Sequence, residues 1–343
     1  MNILAIETSC DETSASLVSN GTKVKSVVIS SQIKIHAKYF GVVPELASRA
    51  HIENINPVIT ETLTKAGLSF GTFSKKIDAI AVTVGPGLAG ALLVGVIAAK
   101  TMASIYHKPL IPVNHLEGHL YSSFIENRSI RPPFLCIIIS GGHTELILVE
   151  DFGKYKILGA TRDDAAGEAF DKAAKMLGLE YPGGPILDKR AEFGNPDAIK
   201  FTRPYMKGSW DFSFSGIKTA LLNYLKANPV KNKRHLNDIC ASFRQAIAET
   251  ICYKAFEAAE KFNLKQIALG GGVSANSLIR KMFDQEGRKN KVKVFIPSLI
   301  YCTDNAAMIG CAAYLKQKEC GLGLSYTRLQ LTPTPSLLLE NWY

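Results

Sequence analysis

Residues Asn2 to Ser30, NILAIETSCDETSASLVSNGTKVKSVVIS, read as three strands joined by two unlike turns. Asn2–Glu7 is an apolar run of strand composition, Thr8–Thr13 a polar turn, and Ser14–Ser19 a second strand. Asn20-Gly21, both tolerant of positive φ, then turns the chain into a third strand over Lys23–Ser30. The same layout returns in FLCIIISGGHTELILVEDFGKYKILGA, residues 134–160. Here strand Phe134–Ile139, turn Ser140-Gly141-Gly142, strand His143–Val149, turn Asp151–Gly153 and strand Lys154–Ala160 follow in order. Repetition at about half the chain length marks an internal duplication. The expected architecture is α/β, with lobe I over 1–130, lobe II over 131–302, a final helix over 303–325 packing back towards lobe I, and a C-terminal tail over 326–343.

Between these repeats the first lobe carries a helical stretch His51–Ala66, a buried strand Asp78–Val84, the turn Gly85-Pro86-Gly87, a helix Ala89–Ile105 and a strand Pro109–Val113. In the second, Ala165–Leu177 and a long, amphipathic Ile239–Phe262 read as helices. Gln266–Leu269 reads as a short strand, a helix begins near Ser274, Lys293–Pro297 is the last strand and Asp304–Lys316 the last helix. The tail from Leu331, LTPTPSLLLENWY, has two prolines at alternate positions and no periodic pattern, so it is assigned no element.

With 343 residues, 47% hydrophobic and 20% charged, the chain has ordinary globular usage and length for two cores. The longest apolar stretch, Leu88–Ile105, is broken by Gly90, Gly95, Lys100 and Thr101, and reads as a buried helix rather than one of the ~18–20-residue spans a membrane requires. The start MNILAIETSC enters a strand directly, without a basic region or cleavage signal, so a cytoplasmic protein is expected. Seven cysteines, with no Cys-x-x-Cys pair, argue against a disulfide framework or a zinc ribbon. Forty Lys and Arg against 30 Asp and Glu, net +10, make a polyanionic partner plausible.

The segment PVNHLEGHLYSSF, residues 112–124, sets His115 and His119 four apart on one helical face, where both can reach a single divalent cation. Leu116, Leu120 and Phe124 form a second stripe that presses this helix onto a core. Glu117 fits neither H-E-x-x-H nor H-x-x-E-H and points away from both rings, which weakens a protease reading. The first turn gathers Glu7, Asp11 and Glu12 with hydroxyl residues, a set suited to acid–base work or to a metal-bound phosphate. The second, Ile138 to Thr144, offers bare glycine backbone to an anion. Gly270, Gly272 and Ala275 match G-x-G-x-x-A, yet Lys289, Asn290 and Lys291 stand where a dinucleotide site needs an acid, which disfavours a dehydrogenase. Asp164, Glu168 and Asp171 fall on one helical face, and Pro182-Gly183-Gly184-Pro185 reads as an ordered turn open to a planar ligand. The basic run Lys226–Arg234 reads equally as a solvated loop or as a track for nucleic-acid phosphates.

The motifs IETSCDET, VGPGLAGALLVG, NHLEGH, ISGGHTE, DDAAGEAFDK, YPGGP, FSFSGIKTA, LGGGVSAN and CTDNAAMIG, in this order over about residues 1 to 325, closely resemble the tRNA N6-adenosine threonylcarbamoyltransferase family, TsaD in bacteria, once labelled O-sialoglycoprotein endopeptidase. The resemblance implies the actin-like ATPase (ASKHA) fold, two duplicated ribonuclease-H-like lobes around a central cleft. It implies transfer of a threonylcarbamoyl group from threonylcarbamoyl-AMP to N6 of the adenosine 3′ to the anticodon, in tRNAs reading codons that begin with A. His115, His119 and Asp304 match the ligands of one divalent ion, Fe(2+) by resemblance with zinc as the alternative. Asp11 and Glu12 match a catalytic acidic pair; Ile138, Ile139, Ser140, Gly141, Gly142, Asp171, Gly184, Asp188 and Asn276 match an adenylate pocket. Implied partners are tRNA, a paralogous actin-like-fold protein (TsaB-like) and a small P-loop ATPase (TsaE-like), with no membrane. A phosphotransferase or ATPase on the same fold is the alternative, a non-catalytic scaffold a third reading, and a metalloprotease is disfavoured.

Overall fold

The computed structural model describes residues 1–203, 208–320 and 331–342. Its strands are β1 (Asn2–Glu7), β2 (Glu12–Ser19), β3 (Lys23–Ser31), β4 (Ala79–Gly85), β5 (Leu110–Asn114), β6 (Phe134–Ile139), β7 (Thr144–Asp151), β8 (Lys154–Ala160), β9 (Gln266–Gly270) and β10 (Lys293–Phe295). The longer helices are α1 (Pro44–Lys65), α2 (Ala89–Tyr106), α3 (His115–Tyr121), α4 (Ala166–Met176), α5 (Gly183–Ala191), α6 (Ser215–Ala227), α7 (Lys233–Lys261), α8 (Ser277–Asn290) and α9 (Ala306–Cys320). The chain divides into two compact units: Met1–Ile130 with Asp151–Tyr155 and Leu299–Tyr343, and Arg131–Glu150 with Lys156–Ser298.

The sheet of the first unit runs β3-β2-β1-β4-β5 and that of the second β10-β9-β6-β7-β8. Read from the opposite edge, the second order is β8-β7-β6-β9-β10, so each strand has a counterpart in the other sheet. In the first unit β1 pairs antiparallel with β2 and parallel with β4; in the second β6 does the same with β7 and β9. The duplication read from the strand–turn–strand pattern is thus one of topology.

In the first unit the period of two sorts side chains between the faces of the sheet. Leu4, Ile6, Ala15 and Leu17 join α1 and α2 in one core, with Val58, Leu63, Val96 and Ala99. Ala5 and Val18 face the other way, under α9, where a Cβ on Gly310 would meet Val18 Cγ2 at 2.6 Å. Glycine at 310 therefore lets this helix lie directly on the sheet. In the second unit Leu135, Ile137 and Ile139 pack with α4, α7 and α8. Helix α7 carries buried residues on nearly every side, including Arg244 and Lys254, rather than a single apolar face, because α5, α6, α8 and the sheet all pack against it.

Several boundaries differ from the sequence reading for identifiable reasons. Helix α1 starts seven residues earlier than His51, at Pro44, where proline's missing N–H costs nothing in a first turn. The tract at Gly183-Gly184, read as a turn, opens α5 instead. Helix α2 has 18 residues of mean hydropathy 1.6, enough by length and composition to cross a membrane, but one face packs on β1, β4 and α1. Expected to be buried, it is so on that face only, and Leu93, Ile97 and Ile105 are exposed. The final helix is described to Cys320; the expected continuation over 321–325, and 326–330 and 343 of the tail, lie outside the described residues.

Candidate metal centre and adenylate pocket

In the first unit β5 ends at Asn114, whose side chain caps α3 by accepting a hydrogen bond from Leu116 N at 2.8 Å. The next residue is His115, so the cap sets where the first imidazole projects. Leu116, Leu120 and Phe124 are buried as their spacing requires. Gly118 lies against α9: a Cβ there would meet Ile309 Cδ1 at 2.8 Å and Met308 Cγ at 3.1 Å. That close approach brings Asp304, two residues before α9, to the histidines.

Asp304 Oδ1 lies 3.0 Å from His119 Nε2 and 3.7 Å from His115 Nε2, and the three potential ligand atoms lie within 4.8 Å of one another. Metal bonds of about 2.1 Å at tetrahedral angles put neighbouring donors roughly 3.4 Å apart. Both histidines are buried, and neither ring nitrogen of His119 has a hydrogen-bond partner among the described residues. A buried imidazole without hydrogen bonds is costly unless something else takes its lone pair. Two imidazoles and one carboxylate are the donor set of a divalent transition ion, and the residues fit one.

Glu7, counted from sequence with the acidic turn, instead stands at the buried end of β1 as a partner of His115. Its Oε2 is 3.2 Å from His115 Nδ1, and Ser9 Oγ is 3.1 Å from the same nitrogen. Thr83 Oγ donates to Oε2 at 2.5 Å and Ser9 N to Oε1 at 2.6 Å. A carboxylate behind Nδ1 selects the tautomer that leaves Nε2 for a cation. Burial works against charge on both groups, but the neighbouring carboxylates of Asp304 and Glu7 outweigh it and raise His115 to about 9, while His115 holds Glu7 below its usual range.

Strand β2 begins at Glu12, so of the acidic pair only Asp11 lies in the turn. Burial, then the adjacent charges of Asp11 and Asp304, push the Glu12 carboxyl well above the ordinary carboxylate range. The same turn is anchored by α2: a Cβ on Gly95 would lie 2.3 Å from Thr8 Oγ, and Leu88 N donates to Ser9 O at 2.8 Å. The VGPGLAGALLVG motif thereby acquires a purpose, a glycine-lined seat for the acidic turn. Five of the seven cysteines are buried and none is disulfide-bonded, as expected.

The matched adenylate residues all fall in the second unit, around the C-terminal ends of β6 and β9. Ser140 closes the turn after β6, its N donating to His143 O at 2.8 Å, and nothing within 4 Å would obstruct a Cβ on Gly141 or Gly142. Ile138 and Ile139 are fully buried in β6. Asp171 Oδ1 accepts from the N–H groups of both Gly183 and Gly184, at 2.8 and 3.0 Å, and so ties α4 to the start of α5. Asp188 bonds Ser277 N through Oδ2 at 2.9 Å, and Asn276 Oδ1 caps α8 through Leu278 N and Ile279 N. Arg244, absent from the sequence reading, donates to Asp188 Oδ1 at 2.7 Å and Ser277 Oγ at 3.0 Å; a lone arginine inside a long helix carries no motif. Asp164, Glu168 and Asp171 form no common acidic face. Asp164 precedes α4 and pairs with Lys172 and Lys218, Glu168 pairs with Lys172, and Asp171 turns to the glycines.

A family model described as "TsaD: tRNA N6-adenosine threonylcarbamoyltransferase" matches residues 23–311. A protein named tRNA N6-adenosine threonylcarbamoyltransferase from Endomicrobium trichonymphae is 77% identical over 342 residues, covering 100% of this chain and 99% of its own length. One of the same name from Clostridium perfringens strain SM101 is 51% identical over 339 residues, 98% of each. Among solved structures, T. kodakarensis HypF aligns with a TM-score of 0.65 at 17% identity, over 95% of this chain and 49% of that one, a likeness of fold alone. The fold is the actin-like ATPase fold. Family membership gives no support to the phosphotransferase or protease alternatives. This chain belongs to the tRNA N6-adenosine threonylcarbamoyltransferase family.

Proposed function

We propose that this chain transfers the threonylcarbamoyl group from threonylcarbamoyl-AMP to N6 of the adenosine 3′ to the anticodon, in tRNAs reading codons that begin with A. The observation that carries the assignment to this site is the juxtaposition of His119, buried with no hydrogen bond to either ring nitrogen, with His115 and Asp304 in the unit that also holds Glu12, whose carboxyl burial pushes upward. His115, His119 and Asp304 would hold one divalent ion, iron or zinc, which supplies Lewis-acid polarisation of the oxygen it binds.

Gly141, Gly142 and Gly184 present backbone to the adenylate, while Asp188 and Asn276 order its surroundings. The exocyclic amine is a weak nucleophile, so orientation and proton removal carry the reaction. As N6 bonds to the carbamoyl carbon, the carbon–oxygen bond to the phosphate breaks, AMP leaves with the electron pair, and the amine proton passes to ionised Glu12. Asp11 orients the amine.

Lys226, Lys231, Lys233 and Arg234, all exposed at the α6–α7 junction, are suited to the phosphates of the anticodon stem. The exposed Leu93, Ile97 and Ile105 of α2 offer an apolar face to a TsaB-like partner, with a TsaE-like ATPase completing the assembly in the cytoplasm.

The test supplies threonylcarbamoyl-AMP and tRNA to the purified protein, with and without both partners, and measures modified nucleoside and AMP. Threonylcarbamoyladenosine is the expected product. AMP release without modified tRNA in every combination overturns the assignment.

A further inference from the structure

The tail from Leu331, which shows no pattern in sequence, crosses the first unit in extended form. Thr334 N donates to Val84 O at 2.7 Å, Gly87 N to Pro335 O at 3.0 Å, and Trp342 N to Gly153 O at 2.9 Å. Two glycines make room for it. A Cβ on Gly85 would lie 2.0 Å from Thr334 O, and one on Gly153 2.2 Å from the Trp342 ring.

The tail touches α3 at its cap and at Glu117. Asn114, the cap, donates through Nδ2 to Leu338 O at 2.9 Å. Glu117, between the two histidines in sequence, points away from them as expected and is only 2% exposed. Its Oε1 accepts the indole N–H of Trp342 and the hydroxyl of Tyr155 at 3.4 Å, and Lys316 Nζ lies 3.7 Å from Oε2. The indole packs beside Tyr121 and Tyr155, with ring centroids at 5.8 and 6.3 Å.

Helix α3 has only seven residues, too few to hold an orientation by its own hydrogen bonds. Ligands, in contrast, must be held to roughly 0.5 Å and 10–20°. A buried carboxylate on the face opposite the histidines, tied to an indole from a segment far away in sequence, supplies a rotational stop for that helix.

We propose that Leu331–Trp342 is a strap that locks the rotation of α3, with Trp342 and Glu117 as positioning residues for His115 and His119. The inference rests on the metal reading above. Trp342 touches no ligand; it acts through Glu117, from behind.

The test is Zn(2+) binding by the full-length, metal-stripped protein, measured by competition with a chromophoric chelator. Wild type and His119→Ala test the metal reading: equal binding by the two overturns that reading, whatever Trp342 does. Trp342→Phe keeps an aromatic ring but removes the donor, and Gly153→Ala displaces an intact indole. Each is expected to weaken Zn(2+) binding about 10–100-fold, the usual cost of losing a group that orients a ligand; Trp342→Phe should do so with little change in the melting temperature of the metal-free protein, whereas Gly153→Ala, at positive φ, should also lower it. Wild-type affinity in both variants overturns the strap. If either variant fails to fold, Trp210→Phe leaves Trp342 as the sole tryptophan of the two in the chain. Its emission should then shift as Zn(2+) is added; an unchanged spectrum at saturation overturns the proposal.

Discussion

The turns after β1 and after β6 stand at the same place in sheets of the same strand order, yet they are built from opposite materials. The first is carboxylate and hydroxyl: Glu7, Ser9, Asp11 and Glu12, with imidazoles brought to it by α3. The second is backbone, Ser140-Gly141-Gly142, with open space where side chains would stand. Side-chain donors suit a cation, and bare N–H groups suit an anion. One scaffold occurs twice, and on the proposed reading the few residues at each turn would divide the labour between a metal and a phosphate.

His119→Ala should break this division most severely. Bound metal, measured by elemental analysis, is expected to disappear and transfer to fall to background, while AMP still protects the second unit from proteolysis. Equal loss of nucleotide protection would show that the two turns do not work separately. Glu12→Gln comes next: transfer should fall by about 10²–10⁴-fold, the usual contribution of a general base, with metal retained. Because burial and the nearby Asp11 and Asp304 raise the Glu12 carboxyl, it becomes a base only as pH rises through that elevated value. Wild-type activity should therefore climb with pH above the ordinary carboxylate range, and the Gln variant should lack that limb. Asn276→Ala is the mildest. Its side chain caps α8 rather than reaching outward, so about 1 kcal/mol of stability should be lost in urea unfolding, with only a several-fold weaker affinity for AMP.

Strands and their turns were legible in the sequence because alternation and Asn-Gly chemistry act locally. Both histidines were legible as a pair for the same reason, since four residues of helix relate them. Asp304 was not reachable by spacing; only the family resemblance named it, and Gly118 with its absent Cβ explains how α9 comes close enough. Glu7 was visible as an acid but not as the partner of His115, because its role depends on a strand end and a helix far apart in the chain. Helix α5 was hidden by Gly183 and Gly184, which favour turns until Asp171 accepts from their N–H groups. The tail left no signature, since its contacts are scattered backbone and side-chain hydrogen bonds, two leucines and one indole, none of which imposes a period.

The first unit is discontinuous: Met1–Ile130 is completed by Asp151–Tyr155 and Leu299–Tyr343, and all of the second unit is encoded between Ile130 and Leu299. During synthesis, which proceeds from the N-terminus at about 5–20 residues per second, His115 and His119 leave the ribosome long before Asp304. Until the last helix emerges, the nascent chain has the two imidazoles without their carboxylate. On the proposed reading, capture of an ion by this trio would be a late event in biogenesis, after the second unit has been made, and a ribosome stalled within that unit would display an unfinished centre.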